Sequence, residues 1–138
     1  MEKSDFFTIR GYSRMERGEI SHAMEDYLEM IYRQAKDGKD TRVNRLASLL
    51  NVRPPSASKM AAKLRDHGMV NFEPYGIIEL TARGEETGAY LFRRHEVLNC
   101  LFCLINSSDN ELELVEKIEH SFNERTVKTS NRFFGIPA

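Results

Sequence analysis

The chain has 138 residues, 41% hydrophobic and 30% charged, with a formal net charge of −1. That length suits one compact domain, or a small domain with a helical appendage. The near-zero charge excludes a uniformly basic coat, no run approaches the roughly 18 apolar residues of a membrane span, and the N-terminus lacks a signal-peptide core, so a cytoplasmic protein without membrane partners is expected.

Residues 1–20 show no clean period: Phe6, Phe7, Ile9 and Tyr12 are interspersed with charges, Gly11 and Gly18. They read as an N-terminal arm. Ser21 is a good N-cap, and Met24, Tyr27, Leu28, Ile31, Tyr32 and Ala35 fall at i, i+3, i+4 spacing, which predicts a first helix with one apolar stripe. Asp37-Gly38-Lys39-Asp40 ends it. Asp26 and Glu29 lie away from the stripe, one turn apart, and can reach a common point; alone, they read as a solvated face.

Thr41 is expected to cap a second helix with Val43, Leu46, Ala47 and Leu50 inward. Asn51-Val52-Arg53 makes a turn, and Pro54-Pro55 suits the first turn of a third helix, where a missing N–H costs little. Gly68 closes that helix as its C′ glycine. Two helices joined by a short turn predict a helix-turn-helix. Met69–Glu73 and Ile77–Leu80, flanking Pro74-Tyr75-Gly76, predict a hairpin, hence a wing. Thr81 caps a long helix with a break near Gly88, followed by a turn at Asn106–Asp109, a helix over 110–122 and a last helix over about 123–133.

Charge is uneven: residues 42–94 hold nine bases and five acids, whereas residues 1–41 and 95–138 each carry an acidic excess. A basic middle third is one electrostatic footprint of nucleic acid. In a winged helix the second helix reads the major groove of double-stranded DNA. Ser56, Ser58, Lys59 and Lys63 can then reach phosphates or base edges, Pro55 can meet thymine methyls, Arg53 lies in the turn, and Tyr75 sits at the wing tip. Arg83, Arg93 and Arg94 read as solvated. The competing reading is a winged helix used as a protein-binding scaffold.

Cys100 and Cys103 form C-x-x-C inside the apolar run Val97–Ile105, without a second pair for zinc, and read as reduced core residues. In Val115-Glu116-Lys117-Ile118-Glu119-His120, about 100° per residue puts Glu116, Glu119 and His120 on one side, with Val115, Ile118 and Phe122 on the other. Such a trio alone is most often a solvated helix face.

Residues 22–122 nevertheless resemble the diphtheria-toxin-repressor family of metal-dependent transcription regulators, specifically its manganese transport regulator branch. The resemblance is carried by Met24-Glu25-Asp26-Tyr27-Leu28-Glu29-Met30-Ile31-Tyr32, Ser58-Lys59-Met60 with Lys63-Leu64, Leu80-Thr81-Ala82-Arg83-Gly84, Arg94-His95-Glu96, and Val115-Glu116 with Ile118-Glu119-His120. It implies a mainly α fold with a small β-hairpin wing: a winged helix-turn-helix followed by a helical dimerisation domain. The division is an arm over 1–20, a DNA-binding domain over 21–94, and metal-binding and dimerisation helices over 95–138.

The resemblance further implies that Asp26, Glu29, His95, Glu116, Glu119 and His120 bind two Mn²⁺ ions per subunit. In the iron-responsive branch the Asp26 position is methionine and the Glu116 position cysteine. Oxygen donors in their place suit Mn²⁺, although the set also accepts Fe²⁺. The implied protein is a homodimer on a palindromic operator that represses metal-uptake genes when metal is plentiful. The alternatives are a metal-independent or Fe²⁺-responsive winged-helix regulator, and a di-metal enzyme. The enzyme is disfavoured because no further nucleophile or acid/base pair is in view to serve a substrate pocket.

Overall fold

The structure is a computed structural model that describes residues 20–134. The expected arm at 1–20 lies, but for Ile20, outside the described residues. Helices α1 (His22–Lys36), α2 (Val43–Leu50) and α3 (Pro54–Asp66) precede strands β1 (Val70–Asn71) and β2 (Glu79–Leu80). Helix α4 (Ala82–Asn106), helix α5 (Leu112–Ile118), a single 3₁₀ turn (Glu119–Ser121) and helix α6 (Glu124–Phe134) follow.

Ser21 caps α1 by accepting from the Met24 amide at 3.2 Å. The stripe Met24, Tyr27, Leu28 and Ile31 is buried, against Leu46 and Ala47 of α2, Ala57, Ala61 and Leu64 of α3, and Leu91 of α4. Burial of each large aliphatic side chain contributes roughly 1.5–3 kcal/mol. Pro54 and Pro55 occupy the first turn of α3, and Gly68 (φ 74°) reverses the chain after it. The strands pair antiparallel, Val70 with Leu80 and Asn71 with Glu79.

Three local expectations are corrected. Arg42, not Thr41, is the N-cap of α2. Thr41 is drawn into the wing instead: its carbonyl accepts from the Ile78 amide at 2.7 Å, and the residue is buried. Helix α4 does not break near Gly88. A Cβ there would lie 2.8 Å from the Tyr32 Cβ, so the glycine lets α1 press against α4 rather than interrupting it. The helix expected over 110–122 leaves α geometry at Ile118 (φ −129°, ψ −5°) and tightens into the 3₁₀ turn.

A second, smaller core joins Leu98 and Phe102 of α4 to Val115 of α5, with Leu101, Leu114, Ile118 and Phe122 packed around it. Cys100 is exposed and Cys103 only partly covered, so neither is the core residue expected. The inward face of α4 is set by Val97, Leu98 and Phe102, and Cys100 projects away from it. No helix among the described residues is long and apolar enough to cross a membrane.

Candidate metal centre

The seam between the two cores is polar. Helix α1 turns its stripe toward the larger core, and this leaves Glu25, Asp26 and Glu29 on the edge that meets α4 and the 3₁₀ turn. Two groups of side chains converge there, each with donor atoms within 4.8 Å of one another: Asp26, Glu119 and His120, and Glu29, His95 and Glu119. Glu119 belongs to both and is 1% exposed. Its carboxylate lies 3.0 Å from His95 Nδ1 and 4.0 Å from His120 Nε2. His120 Nε2 is also 3.0 Å from Asp26 Oδ1. Glu116 belongs to neither group: its side chain is 58% exposed, 3.6 Å from His95, and it lines the same cavity of about 530 Å³ as Asp26, Glu29, His95 and Glu119.

The electrostatics follow from the crowding. Burial pushes the Glu29 carboxyl up, opposed by the hydrogen bond from Arg33. Burial, and then the charge of Glu119, raise Glu116. The hydrogen bond with Glu119 raises His95. Hydrogen bonds with Asp26 and then Glu25 lift His120 to about 10. Acids are pushed toward neutrality and imidazoles toward protonation, which is how gathered carboxylates respond when protons are the available cations. Four carboxylates and two imidazoles at one seam form a donor set that fits hard or borderline divalent cations. A divalent cation there would replace those protons.

Some neighbours of the centre escape the sequence reading. Arg94, expected on a solvated face, is buried at 3% exposure. Its Nη1 donates to Glu25 Oε2 at 3.0 Å, and its Nη2 lies 3.2 Å from His120 Nδ1. Arg33 donates through Nε to Glu29 Oε2 at 2.9 Å, and its guanidinium lies over the Phe92 ring, 4.7 Å from the centroid. The available signal was adjacency: Glu25 precedes Asp26, and Arg94 precedes His95.

Arg53, the N-cap of α3, and Pro55, Ser56, Lys59 and Lys63 along that helix are exposed, and Ser58 is half-buried. Tyr75, at the wing tip with φ 64°, is 99% exposed. Pro55, Ser58 and Tyr75 share one hollow of about 550 Å³ between α3 and the wing. Arg42 Nη1 donates to the Tyr75 carbonyl at 2.8 Å and so ties the wing tip to the start of α2.

Residues 19–78 match the family described as iron dependent repressor, N-terminal DNA binding domain. The chain is 32% identical over 112 residues to an uncharacterized HTH-type transcriptional regulator of Methanocaldococcus jannaschii, covering 79% of this chain and 90% of that protein. It is 38% identical over 99 residues to the HTH-type transcriptional regulator MntR of Shouchella clausii, covering 71% and 69%. Among solved structures, that of the manganese regulator SloR superposes with a TM-score of 0.71 at 23% identity, a likeness of fold. The superposition covers 83% of this chain and 54% of SloR, so the chain spans about half the length of that neighbour.

Proposed function

The chain belongs to the diphtheria-toxin-repressor family of metal-dependent transcription regulators, on its manganese transport regulator branch, and from that premise we propose that it is a Mn²⁺-responsive repressor of metal-uptake genes. Members of this family are DNA-binding regulators and not enzymes. In this reading Asp26, Glu29, His95, Glu116, Glu119 and His120 hold two Mn²⁺ ions per subunit. Arg53, Pro55, Ser56, Ser58, Lys59, Lys63 and Tyr75 meet a palindromic operator. The observation that carries the reading is Glu119, a carboxylate 1% exposed and common to both donor groups, one of which reaches α1 through Asp26 and the other through Glu29.

Bound Mn²⁺ supplies positive charge that offsets the mutual repulsion of the clustered carboxylates. The chain's own residues do the rest. Asp26 and Glu29 ride on α1, which is packed into the DNA-reading half, residues 21–94. Glu119 and His120 ride on the C-terminal half, residues 95–138. Drawing those side chains together fixes one half against the other. In a homodimer this fixes the separation of two α3 helices, which must enter successive major grooves about 34–36 Å apart. With the halves so joined, the arrangement that fits DNA would be favoured over those that do not. Leu104, Ile105 and Leu112, exposed at 60%, 66% and 43%, offer the apolar area for the second copy.

The test is fluorescence anisotropy of a labelled palindromic duplex with the full chain at fixed ionic strength, titrated with Mn²⁺. Affinity is expected to rise by about 5–150-fold, the usual span of a coupling free energy. Affinity unchanged up to millimolar Mn²⁺ would remove metal control and leave a metal-independent regulator.

A further inference from the structure

His120 is held on three sides by groups that are not themselves candidate ligands. Its ring stacks on His22, with centroids 4.8 Å apart and planes 11° from parallel. Its Nδ1 lies 3.3 Å from Glu25 Oε1 and 3.2 Å from Arg94 Nη2. Those two neighbours make opposite demands. Guanidinium only donates, and carboxylate only accepts. A proton on Nδ1 serves Glu25, whereas a lone pair on Nδ1 serves Arg94 and drives the proton to Nε2.

The surroundings decide between them. Arg94 and Glu25 are paired whichever tautomer the ring takes: Nη1 donates to Oε2 at 3.0 Å, with side chains only 4% and 15% exposed, and Nη2 keeps donors of its own, so the choice falls to the carboxylate facing Nδ1 and to the other edge of the ring. The Nη1 contact leaves Oε1 as the acceptor facing Nδ1. A lone pair there would set an imidazole nitrogen against a buried carboxylate oxygen with no proton between them. On the other edge of the ring, Nε2 faces Asp26 Oδ1 at 3.0 Å and Glu119 Oε1 at 4.0 Å. A cation shared by those two carboxylates needs a lone pair on Nε2.

We propose that Glu25, anchored by Arg94, is a positioning residue of the metal centre: it accepts from Nδ1–H of His120 and so fixes the tautomer and ring orientation in which Nε2 faces the space between Asp26 and Glu119. The inference rests on the reading of those residues as metal ligands. It places one buried ion pair, bridging α1 and α4, behind the C-terminal ligand. Outer hydrogen bonds of this kind orient ligating histidines, and their loss typically lowers metal affinity by about 10–100-fold.

The experiment uses the full chain with ¹⁵N-labelled histidine, loaded with diamagnetic Zn²⁺ for long-range ¹H–¹⁵N spectra, and Mn²⁺ titration calorimetry on the same variants. In the wild type, His120 is expected to carry its proton on Nδ1. Glu25→Ala is expected to lower Mn²⁺ affinity about 10–100-fold, with the His95 resonances in place. Glu25→Gln, which keeps an acceptor oxygen without the charge, is expected to fall between the two. A purely structural role would lower the unfolding midpoint without moving the tautomer. Wild-type affinity in Glu25→Ala, or a wild-type His120 protonated on Nε2 in the zinc-loaded chain, would overturn the inference. The wild-type spectrum decides even where a variant fails to fold. A wild-type chain that binds neither Zn²⁺ nor Mn²⁺ would overturn the underlying reading of the centre, and the inference with it.

Discussion

Around Leu28, Ile31, Leu46 and Leu64 the N-terminal half gathers fourteen buried apolar residues into one core, whereas the cluster of the C-terminal half has Leu98, Phe102 and Val115 at its centre. The first half holds its shape from its own apolar contacts, and its wing is tied in by backbone pairing at Thr41 and Ile78. The second half has little such material. It leaves Leu104, Ile105 and Leu112 to solvent, and its junction with the first half includes the charged seam of α1, α4 and the 3₁₀ turn. Apolar packing is always present, whereas the clustered carboxylates of the seam repel one another except where Arg33, Arg94, protonated imidazoles or a bound cation offset them. The contrast is therefore one between an apolar core, in the half proposed as the reading head, and a charged junction.

The largest expected effect separates the two cores directly. Leu28→Ala is expected to destabilise near the upper end of the roughly 2–5 kcal/mol range for such truncations, and Leu98→Ala near the lower end, because a small, open cluster collapses more readily around a void. Denaturant unfolding of the metal-free chain checks this, and equal losses would remove the contrast. Next comes Glu119→Gln. It is expected to cost more than about 100-fold in Mn²⁺ affinity by calorimetry, beyond the usual range for outer residues, because Glu119 serves both donor groups. The unfolding of the reading head should stay intact.

A smaller effect is expected from Lys59→Ala on the exposed face of α3. DNA affinity should fall, and the slope of log affinity against log salt should shrink by about 1 if the contact is to phosphate. Mn²⁺ affinity should not move; its collapse would contradict the separation of reading head from junction. The mildest change is Glu116→Cys. This side chain stands at the rim of the cavity, 58% exposed, so the fold should be untouched. Its replacement by a soft donor is expected to shift activation toward Fe²⁺ or Co²⁺. An unchanged ranking of metals would take Glu116 out of the ligand set.

The reading head was the more legible half, for a physical reason. Periodicity reports on residues that face their own helix's neighbours, and in α1 to α3 the stripe, the prolines of α3 and Gly68 each act locally. At the junction the decisive partners are distant in sequence. A helical wheel places Glu119 with Glu116 on an outer face, yet the backbone turns into 3₁₀ geometry at Ile118 and carries Glu119 into the interior beside His95. The identities of the candidate ligands were visible only through family resemblance, because donors spread over α1, α4, α5 and the 3₁₀ turn have no common period. Glu25 and Arg94 were missed because charged residues beside charged residues look solvated until His120 of the 3₁₀ turn is in place against them. The cysteines erred the other way: an apolar run does not reveal which of its residues face the core.

Occupation of the seam is expected to fix the C-terminal half against α1. Backbone hydrogen exchange of the full chain, read by mass spectrometry with and without saturating Mn²⁺, tests it most directly. Exchange is predicted to slow together in the peptides covering His22–Lys36 and Glu119–Ser121, while α3, Pro54–Asp66, stays unchanged. Slowing confined to one side of the seam, or none on either side, would contradict the account.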